Sequence, residues 1–398
     1  MGAAVTSAAH ALALLRGGAE FFPALIAAVD AAEREVLLET YIFDAVGDGE
    51  AVARSLVRAA LRGVQVRVVI DGAGTGALPA LWRQRFEEAG VQCRVFSPLN
   101  FWHLFGFWRP SRWRRLHRKL CVVDEAVAFC GGINVLDDWH DLGRKDRLTA
   151  PRLDYAVSVR TGPLVAAVAD TMRQLWARME LVDELRSRDV RGVLDALRRS
   201  EVVTLPTGGQ ARLVLRDNVR YRYTIEATYR RAIAQAREEI VIACAYFFPG
   251  RRLRQALQRA ARRGVRVRLL LQGHYEYFIA YHAARKLYGQ LLQAGVEIHE
   301  YHASYLHAKV AVIDGEWATV GSSNLDPLSL LLAREANVVV RDADFAGALR
   351  ESLQQAMQTG STLVDPTRHA RRPWWARGVD SLASALLRLG VFLTGMRY

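Results

Sequence analysis

Two stretches 190 residues apart, His117–Asp124 (HRKLCVVD) and His307–Asp314 (HAKVAVID), set a histidine, a lysine and an aspartate at the same spacing on a short apolar run. After each aspartate six residues intervene before a glycine, and an asparagine follows three positions on: Gly131 and Asn134, then Gly321 and Asn324. Alternate residues of a strand share a face, so His117 and Lys119 point one way, as do His307 and Lys309. Two such strands meeting about a pseudo-twofold axis would converge two imidazoles, two ammonium groups and two amides on one small volume. That set suits a phosphodiester. Lys119, Lys309, Asn134 and Asn324 would hold the nonbridging oxygens and stabilise the charge of a five-coordinate phosphorus. One histidine would attack phosphorus to form a phosphohistidine, and the other would protonate the leaving alcohol and then deprotonate the incoming one. With lysines supplying the positive charge, the reading requires no metal and no cofactor. A zinc cage is a poor rival, since lysine is a weak ligand at neutral pH.

The choice of lysine is itself informative. Of 54 Lys and Arg residues only four are lysines, Lys119, Lys145, Lys286 and Lys309, which leaves 50 arginines. Two of the four stand in the doubled motif, where a compact ammonium close to a phosphoryl oxygen is wanted instead of a planar fork. Asp124 and Asp314 complete the motif and are counted with its catalytic group. They close the strand seven residues from the histidine, and two readings stand for them: contact with substrate, or support through basic neighbours. Asp154 in LDYAV and Glu335 in REANV each begin a later strand and are better placed to orient the imidazoles. A carboxylate on one ring nitrogen fixes the tautomer and stabilises the imidazolium. A surface salt bridge is the plain alternative for both acids.

The elements that must position these residues repeat as well. RGVQVRVVIDG at Arg62–Gly72 matches RGVRVRLLLQG at Arg263–Gly273, and LLETYIF ending at Phe43 parallels VIACAYFF ending at Phe248. Each half is expected to open with an amphipathic helix, about Phe22–Arg34 and about Arg220–Arg237, and a strand, about Val36–Phe43 and Ile240–Tyr246. A helix ending at Arg-Gly leads to a second strand, about Val64–Ile70 and Val265–Leu271. Another leads to a third, about Val91–Phe96 and Val296–Tyr301. The His-x-Lys strand, a short partner and a closing strand, about Tyr155–Val159 and Asn337–Val340, finish the unit. The alternation predicts an α/β fold of two like repeats, each a mixed β-sheet flanked by helices on both faces. Packed with pseudo-twofold symmetry, they would bring the His-x-Lys strands together at a cleft. Residues 1–205 are expected to form the first unit, 206–365 the second and 366–398 a tail, with the junction between about Ala177 and Arg212.

Composition agrees with a folded chain that meets polyanions. At 398 residues, 51% hydrophobic and 24% charged, two domains are the default and disorder is excluded. The formal charge of +13 would attract nucleic acid or anionic lipid. Cys93, Cys121, Cys130 and Cys244 stand singly, with no CxxC pair, and predict buried thiols instead of a disulfide framework. Neither a membrane-spanning run nor a secretory signal is expected. Two segments lie outside the repeat. Leu99–Arg115 interleaves Phe101, Trp102, Phe105, Phe107, Trp108 and Trp113 with arginines just before His117, a composition suited to contact with the headgroup region of a bilayer. The tail from Arg371 carries Leu382, Leu386, Leu389 and Leu393 at helical spacing, and packing on the fold and association with a membrane both stand for it.

His-x-Lys-x4-Asp-x6-Gly-x-x-Asn written twice resembles the phospholipase D superfamily signature. In that family a serine follows the glycine; here it is Ser322 in the second copy and Gly132 in the first. More narrowly, LETYIF, DYAV, AYFFPG, HAKVAVID, WATVGSSNLDPLSL and EANVVV resemble the bacterial cardiolipin synthases of the B type along nearly the whole chain. The resemblance implies transfer of a phosphatidyl group from one phosphatidylglycerol to the glycerol hydroxyl of another, with release of glycerol. It implies His117 as nucleophile and His307 as acid and base, although the pseudo-symmetry of the residues leaves that assignment open. It also implies Ser322 beside Asn134 and Asn324 at the substrate phosphate, and Asp154 and Glu335 as the acids bonded to the histidines. The expected setting is the cytoplasmic face of the cell membrane, with an anionic phospholipid substrate and a membrane surface as partners and no nucleic acid. A phospholipase D or headgroup-exchanging enzyme, with water or another alcohol as acceptor, is the alternative, with a nuclease of the same superfamily ranked below it.

Overall fold

The computed structural model describes residues 6–7, 12–98, 114–140, 148–187, 210–218, 220–274 and 278–393. In the first half β1 (Thr6–Ser7), β2 (Leu12–Arg16), α1 (Gly17–Asp30), β3 (Glu35–Thr40), α2 (Asp48–Leu61) and β4 (Gln65–Asp71) lead to α3 (Ala80–Ala89) and β5 (Gln92–Phe96). Then come β6 (Lys119–Val123), β7 (Val127–Gly131), β8 (Tyr155–Arg160) and α4 (Pro163–Ser187). The second half runs β9 (Ala211–Arg216), α5 (Thr224–Gln235), β10 (Glu239–Cys244), α6 (Arg251–Arg262), β11 (Arg266–Gln272), α7 (Phe278–Leu292) and β12 (Glu297–Tyr301). It continues through β13 (Lys309–Ile313), β14 (Trp317–Gly321), a π-helical turn (Leu328–Leu332), β15 (Glu335–Arg341), α8 (Ala343–Gly360), β16 (Ser361–Leu363), α9 (Pro366–Ala370) and α10 (Trp374–Leu393).

Among the described residues each half builds one eight-stranded mixed sheet, in the orders β1-β2-β8-β7-β6-β3-β4-β5 and β16-β12-β11-β10-β13-β14-β15-β9. The runs β3-β4-β5 and β10-β11-β12 are parallel, whereas β6 and β13 lie antiparallel to β3 and β10. The start of each motif strand therefore stands beside the C-terminal ends of the parallel strands, with Leu120 opposite Glu39 and Lys309 opposite Cys244. Those ends are where an α/β sheet leaves loops free to line a site.

Period-two alternation along the strands feeds separate cores. Val36, Leu38, Cys121 and Val123 pack with Phe22, Leu56 and Phe86 of α1 to α3, while Leu37, Leu120 and Val122 face the other way. In the second half Ile240 and Ile242 face one side, and Val241 and Ala243 the other. The inward sets of both sheets merge into a common core with Val165, Val168 and Met172 of α4 and Phe345, Leu349 and Leu353 of α8. Burying each large aliphatic side chain stabilises by roughly 1.5–3 kcal/mol, so separating the halves is strongly opposed.

The structure adds to the sequence reading at the sheet edges. Strands β2 and β9, which the repeat did not single out, pair with β8 and β15 and extend each sheet. Helix α1 starts upstream of Phe22, where Gly17 takes a left-handed φ of 63°. Helix α4 continues to Ser187 with Leu175, Trp176 and Ala177 buried, so the expected junction begins inside a helix. The tail packs on the fold: Asp380 of α10 lies 2.7 Å from His282 Nδ1 of α7 and 2.9 Å from Arg372, and Leu387 joins Phe248, Ala283 and Leu287.

Candidate active site

Backbone hydrogen bonds between the halves bring the two motifs together. The His117 N–H donates to the Arg334 carbonyl (3.0 Å), and the Arg334 N–H to the Arg115 carbonyl (2.7 Å). Across the pseudo-twofold, the His307 N–H donates to the Leu153 carbonyl and the Leu153 N–H to the Tyr305 carbonyl, both at 2.9 Å. Arg334 and Leu153 each precede an acid, and the bridges deliver those acids crosswise. His117 Nδ1 lies 2.9 Å from a Glu335 oxygen, and His307 Nδ1 lies 2.6 Å from an Asp154 oxygen. Each imidazole is thus oriented by the opposite half through Nδ1, which leaves Nε2 as the ring atom for chemistry.

Lys119 and Lys309 are buried, and each ammonium donates to the backbone carbonyl of its own motif histidine, Lys119 at 2.7 Å. The Tyr41 ring sits edge-on to His117, with centroids 4.9 Å apart, and its centroid lies 5.4 Å from the Lys119 ammonium. Asn134 accepts from the Ile42 N–H (3.2 Å) and Asn324 from the Tyr246 N–H (3.3 Å), which commits each amide oxygen and makes Nδ2 the donor end. The motif glycines have a packing reason. A Cβ on Gly131 would lie 2.5 Å from the Ala156 Cα, and one on Gly321 would lie 2.6 Å from the Ala336 carbonyl oxygen. A side chain there would push away the strand that carries the acid.

Burial sets the electrostatics, and the two halves differ. Burial raises Glu335, but the His117 ring, Lys119 and the Ser322 hydroxyl outweigh it and hold the carboxyl below its ordinary value. Burial lowers His117, Glu335 opposes, and Lys119 lowers it further, leaving the ring below its usual range. Burial pushes Asp154 up to about 7 against the pull of Lys309 and the Tyr155 N–H. Burial, with Lys309 and Lys119, takes His307 well below its ordinary value. Lys119 itself is pushed down to about 7 by burial, with Glu335 opposing and Lys309 adding to the shift. An arriving phosphate would restore its charge.

The His117 ring leads the groups that lower Glu335, and Ser322 adds a smaller contribution that the first half lacks. Ser322 Oγ donates to Glu335 at 2.5 Å and accepts from the Ala336 N–H at 3.0 Å. In this structure the Ser322 hydroxyl bonds the acid behind His117. The matching position in the first half is Gly132, where a Cβ would lie 2.2 Å from an Asp154 carboxylate oxygen. Gly132→Ser should therefore displace Asp154 and cut turnover about 10²-fold, the cost of roughly 1 Å of misplacement. Steady-state kinetics on folded protein checks this; unchanged turnover would mean that the position of Asp154 is immaterial.

Asp124 and Asp314 lie away from the imidazoles. They stand at the far end of the motif strands from the histidines, at φ 53° and 52°. The Asp124 carboxylate accepts from the Glu33, Arg34 and Glu35 amides, each at 2.8 Å. Asp314 accepts from Arg237 and Glu238 at 2.9 Å and Glu239 at 3.0 Å. Each aspartate locks the turn after its motif strand to the start of the neighbouring parallel strand. Asp124→Ala should lower stability by about 1–3 kcal/mol, since three amides lose their acceptor and alanine is strained at that φ. Thermal melting beside kcat at saturating substrate checks it; lost turnover with unchanged melting would return Asp124 to the chemistry. Phe101, Trp102, Phe105, Phe107, Trp108 and Trp113 lie outside the described residues.

Four supporting residues escaped sequence reasoning. Asp71 accepts from the Leu116 N–H at 2.8 Å, and Gln272 from the Leu306 N–H at 3.4 Å, so equivalent ends of β4 and β11 hold the residue before each histidine. Their signal was the last pair of side chains in the matched RGV stretches. Glu39 and Arg118 form a buried ion pair, 2.5 Å apart, beside His117, where the second half has Ala243 and Ala308.

Comparison with known proteins places this geometry. The family described as "Cardiolipin synthase, PLD-like domain" matches residues 25–143 and 229–357. The chain is 38% identical over 386 residues to cardiolipin synthase B of Salmonella typhi and 37% identical to that of Escherichia coli K12, covering 94% of this chain and 87% of each relative. Among solved structures it is similar to phosphatidylserine synthase of Haemophilus influenzae Rd KW20, with TM-score 0.68, 13% identity and coverage of 97% and 94% of the two chains. At that identity the likeness concerns the fold.

Proposed function

We propose the reaction of this chain from one premise: it belongs to the cardiolipin synthase family of phospholipase D-like proteins. It is a phosphatidyltransferase. The specific reaction proposed joins two phosphatidylglycerols into cardiolipin and releases glycerol, and the observation that carries it is the pair of histidines held by crossed acids in one family-matched cleft.

His117, with Nδ1 on the ionised Glu335, keeps Nε2 unprotonated at neutral pH and attacks phosphorus of the first lipid. The bond from phosphorus to the headgroup glycerol oxygen breaks, and that oxygen takes a proton from His307. The pair Asp154–His307 supports this role: with Asp154 raised to about 7 and His307 well below its ordinary value, the pair's proton rests on Asp154 and passes to Nδ1 as Nε2–H protonates the leaving oxygen. Glycerol leaves. His307 then accepts the hydroxyl proton of the second lipid as its oxygen attacks phosphorus, the phosphorus–nitrogen bond breaks, and His117 is regenerated. Lys119, Lys309 and the amides of Asn134 and Asn324 bind the phosphoryl oxygens, where a single fixed donor is worth about 10²–10³ in rate.

Because donor and acceptor are both anionic lipids, the enzyme works at a membrane surface as a peripheral protein on its cytoplasmic face. No helix among the described residues is long and apolar enough to cross a membrane. Purified protein incubated with phosphatidylglycerol vesicles should yield cardiolipin and glycerol in equal amounts by mass spectrometry. Phosphatidic acid as the sole product would make water the acceptor.

A further inference from the structure

Helix α10 packs with the wrong face outward for a globular protein. The side turned to α7 carries Asp380 (2% exposed), Ala383 (1%) and Ser384 (4%), whereas Leu382 (62%), Leu386 (46%) and Leu389 (53%) point into solvent. Trp375, Leu382, Leu386 and Leu389 recur at intervals of 7, 4 and 3 residues and form one stripe along the helix. Trp374 and Trp375 are exposed at its start. Soluble helices bury such a stripe; a helix lying in the headgroup plane displays it. Charge agrees: Arg371, Arg377 and Arg388 are exposed around it, and the helix's one acid, Asp380, is buried on His282 and Arg372.

The helix that carries the stripe is tied to the loops of the cleft through α7 and Leu387. Helix α7, its support, follows the end of β11, where Gln272 holds the N–H of Leu306 next to His307. Phe278 and Ile279 are exposed in the first turn of α7. Leu387 of α10 rests on Phe248, whose N–H donates to the carbonyl of Leu325, the neighbour of Asn324. Large apolar side chains thus stand out from two helices that are braced on the loops of the site.

We propose that α10, with the first turn of α7, is the surface that seats the catalytic cleft on an anionic bilayer. The proposal rests on the reading of the substrate as an anionic membrane lipid. The aromatic segment before His117 is not needed for it.

The test uses the full chain and the pair Leu382→Gln/Leu386→Gln, whose side chains lie away from α7. Sedimentation with vesicles of phosphatidylglycerol and phosphatidylcholine should show at least about tenfold weaker partition for the variant, and turnover on vesicles should fall in parallel. Turnover of short-chain phosphatidylglycerol dispersed as monomers should be unchanged, which separates seating from chemistry. Failure of the wild type on both substrates would sink the proposed reaction, and vesicle binding would still judge the docking surface. Unchanged partition of the variant would overturn the proposal. So would a wild-type dimer that the substitutions convert to monomer with vesicle binding intact, because the stripe would then belong to a second copy.

Discussion

Replacing His117 or His307 with alanine should lower cardiolipin formation by at least about 10³-fold, because each ring carries a bond-making or proton-moving step that no neighbour can take over. The double variant should be little worse than either single one, since groups that act as a unit are not additive. The two lesions should differ in kind. A phosphatidyl ester of 4-nitrophenol has a leaving group that needs no proton, so His307→Ala should still release nitrophenolate from it and build the covalent adduct. His117→Ala should release none. Equal rescue of both variants would mean that the roles of the two rings are not divided as proposed.

The crossed acids give the second large effect. Glu335→Gln and Asp154→Asn should each cost about 10³–10⁴-fold, because an amide can neither exchange a proton with Nδ1 nor stabilise the imidazolium by charge. The pH profile separates them. Asp154 is raised to about 7, so its pair with His307 keeps a proton below that pH and loses it as pH rises through about 7. The first step needs that proton, and the rate should fall on the alkaline side of about 7. In Asp154→Asn this limb should shift or vanish, whereas Glu335→Gln should retain it. Retention of the limb unchanged in Asp154→Asn would assign it to another group, with Lys119, also near 7, the first to examine.

Much of this site was legible because duplication repeats spacing. His117, Lys119, Asn134 and their partners at His307, Lys309 and Asn324 could be read from offsets that recur 190 residues apart. Asp154 and Glu335 could be named as orienting acids, yet the crossing was hidden, since it depends on the bridges of Leu116 to Arg334 and Leu153 to Leu306 between distant segments. Asp124 and Asp314 share the motif but not the end of the strand where the histidines stand. Strand length carries them to the opposite end of the sheet, where backbone amides at Glu33–Glu35 and Arg237–Glu239 claim the carboxylates. The bond from the Ser322 hydroxyl to Glu335 was equally out of view, because it joins two strands of the second half. The outward face of α10 was beyond reach of helical spacing, which shows that leucines align but not which way the aligned face turns.

The central claim is that one composite site, made by both halves, transfers phosphatidyl through His117. Rapid quenching of the enzyme during turnover of phosphatidylglycerol, under basic conditions that preserve phosphohistidine, followed by peptide mass spectrometry, tests it most directly. The account predicts a phosphatidyl adduct on the peptide containing His117, lost in His117→Ala and chased into cardiolipin by further substrate. An adduct on His307, or cardiolipin formed at full rate with no adduct on either histidine, would contradict it.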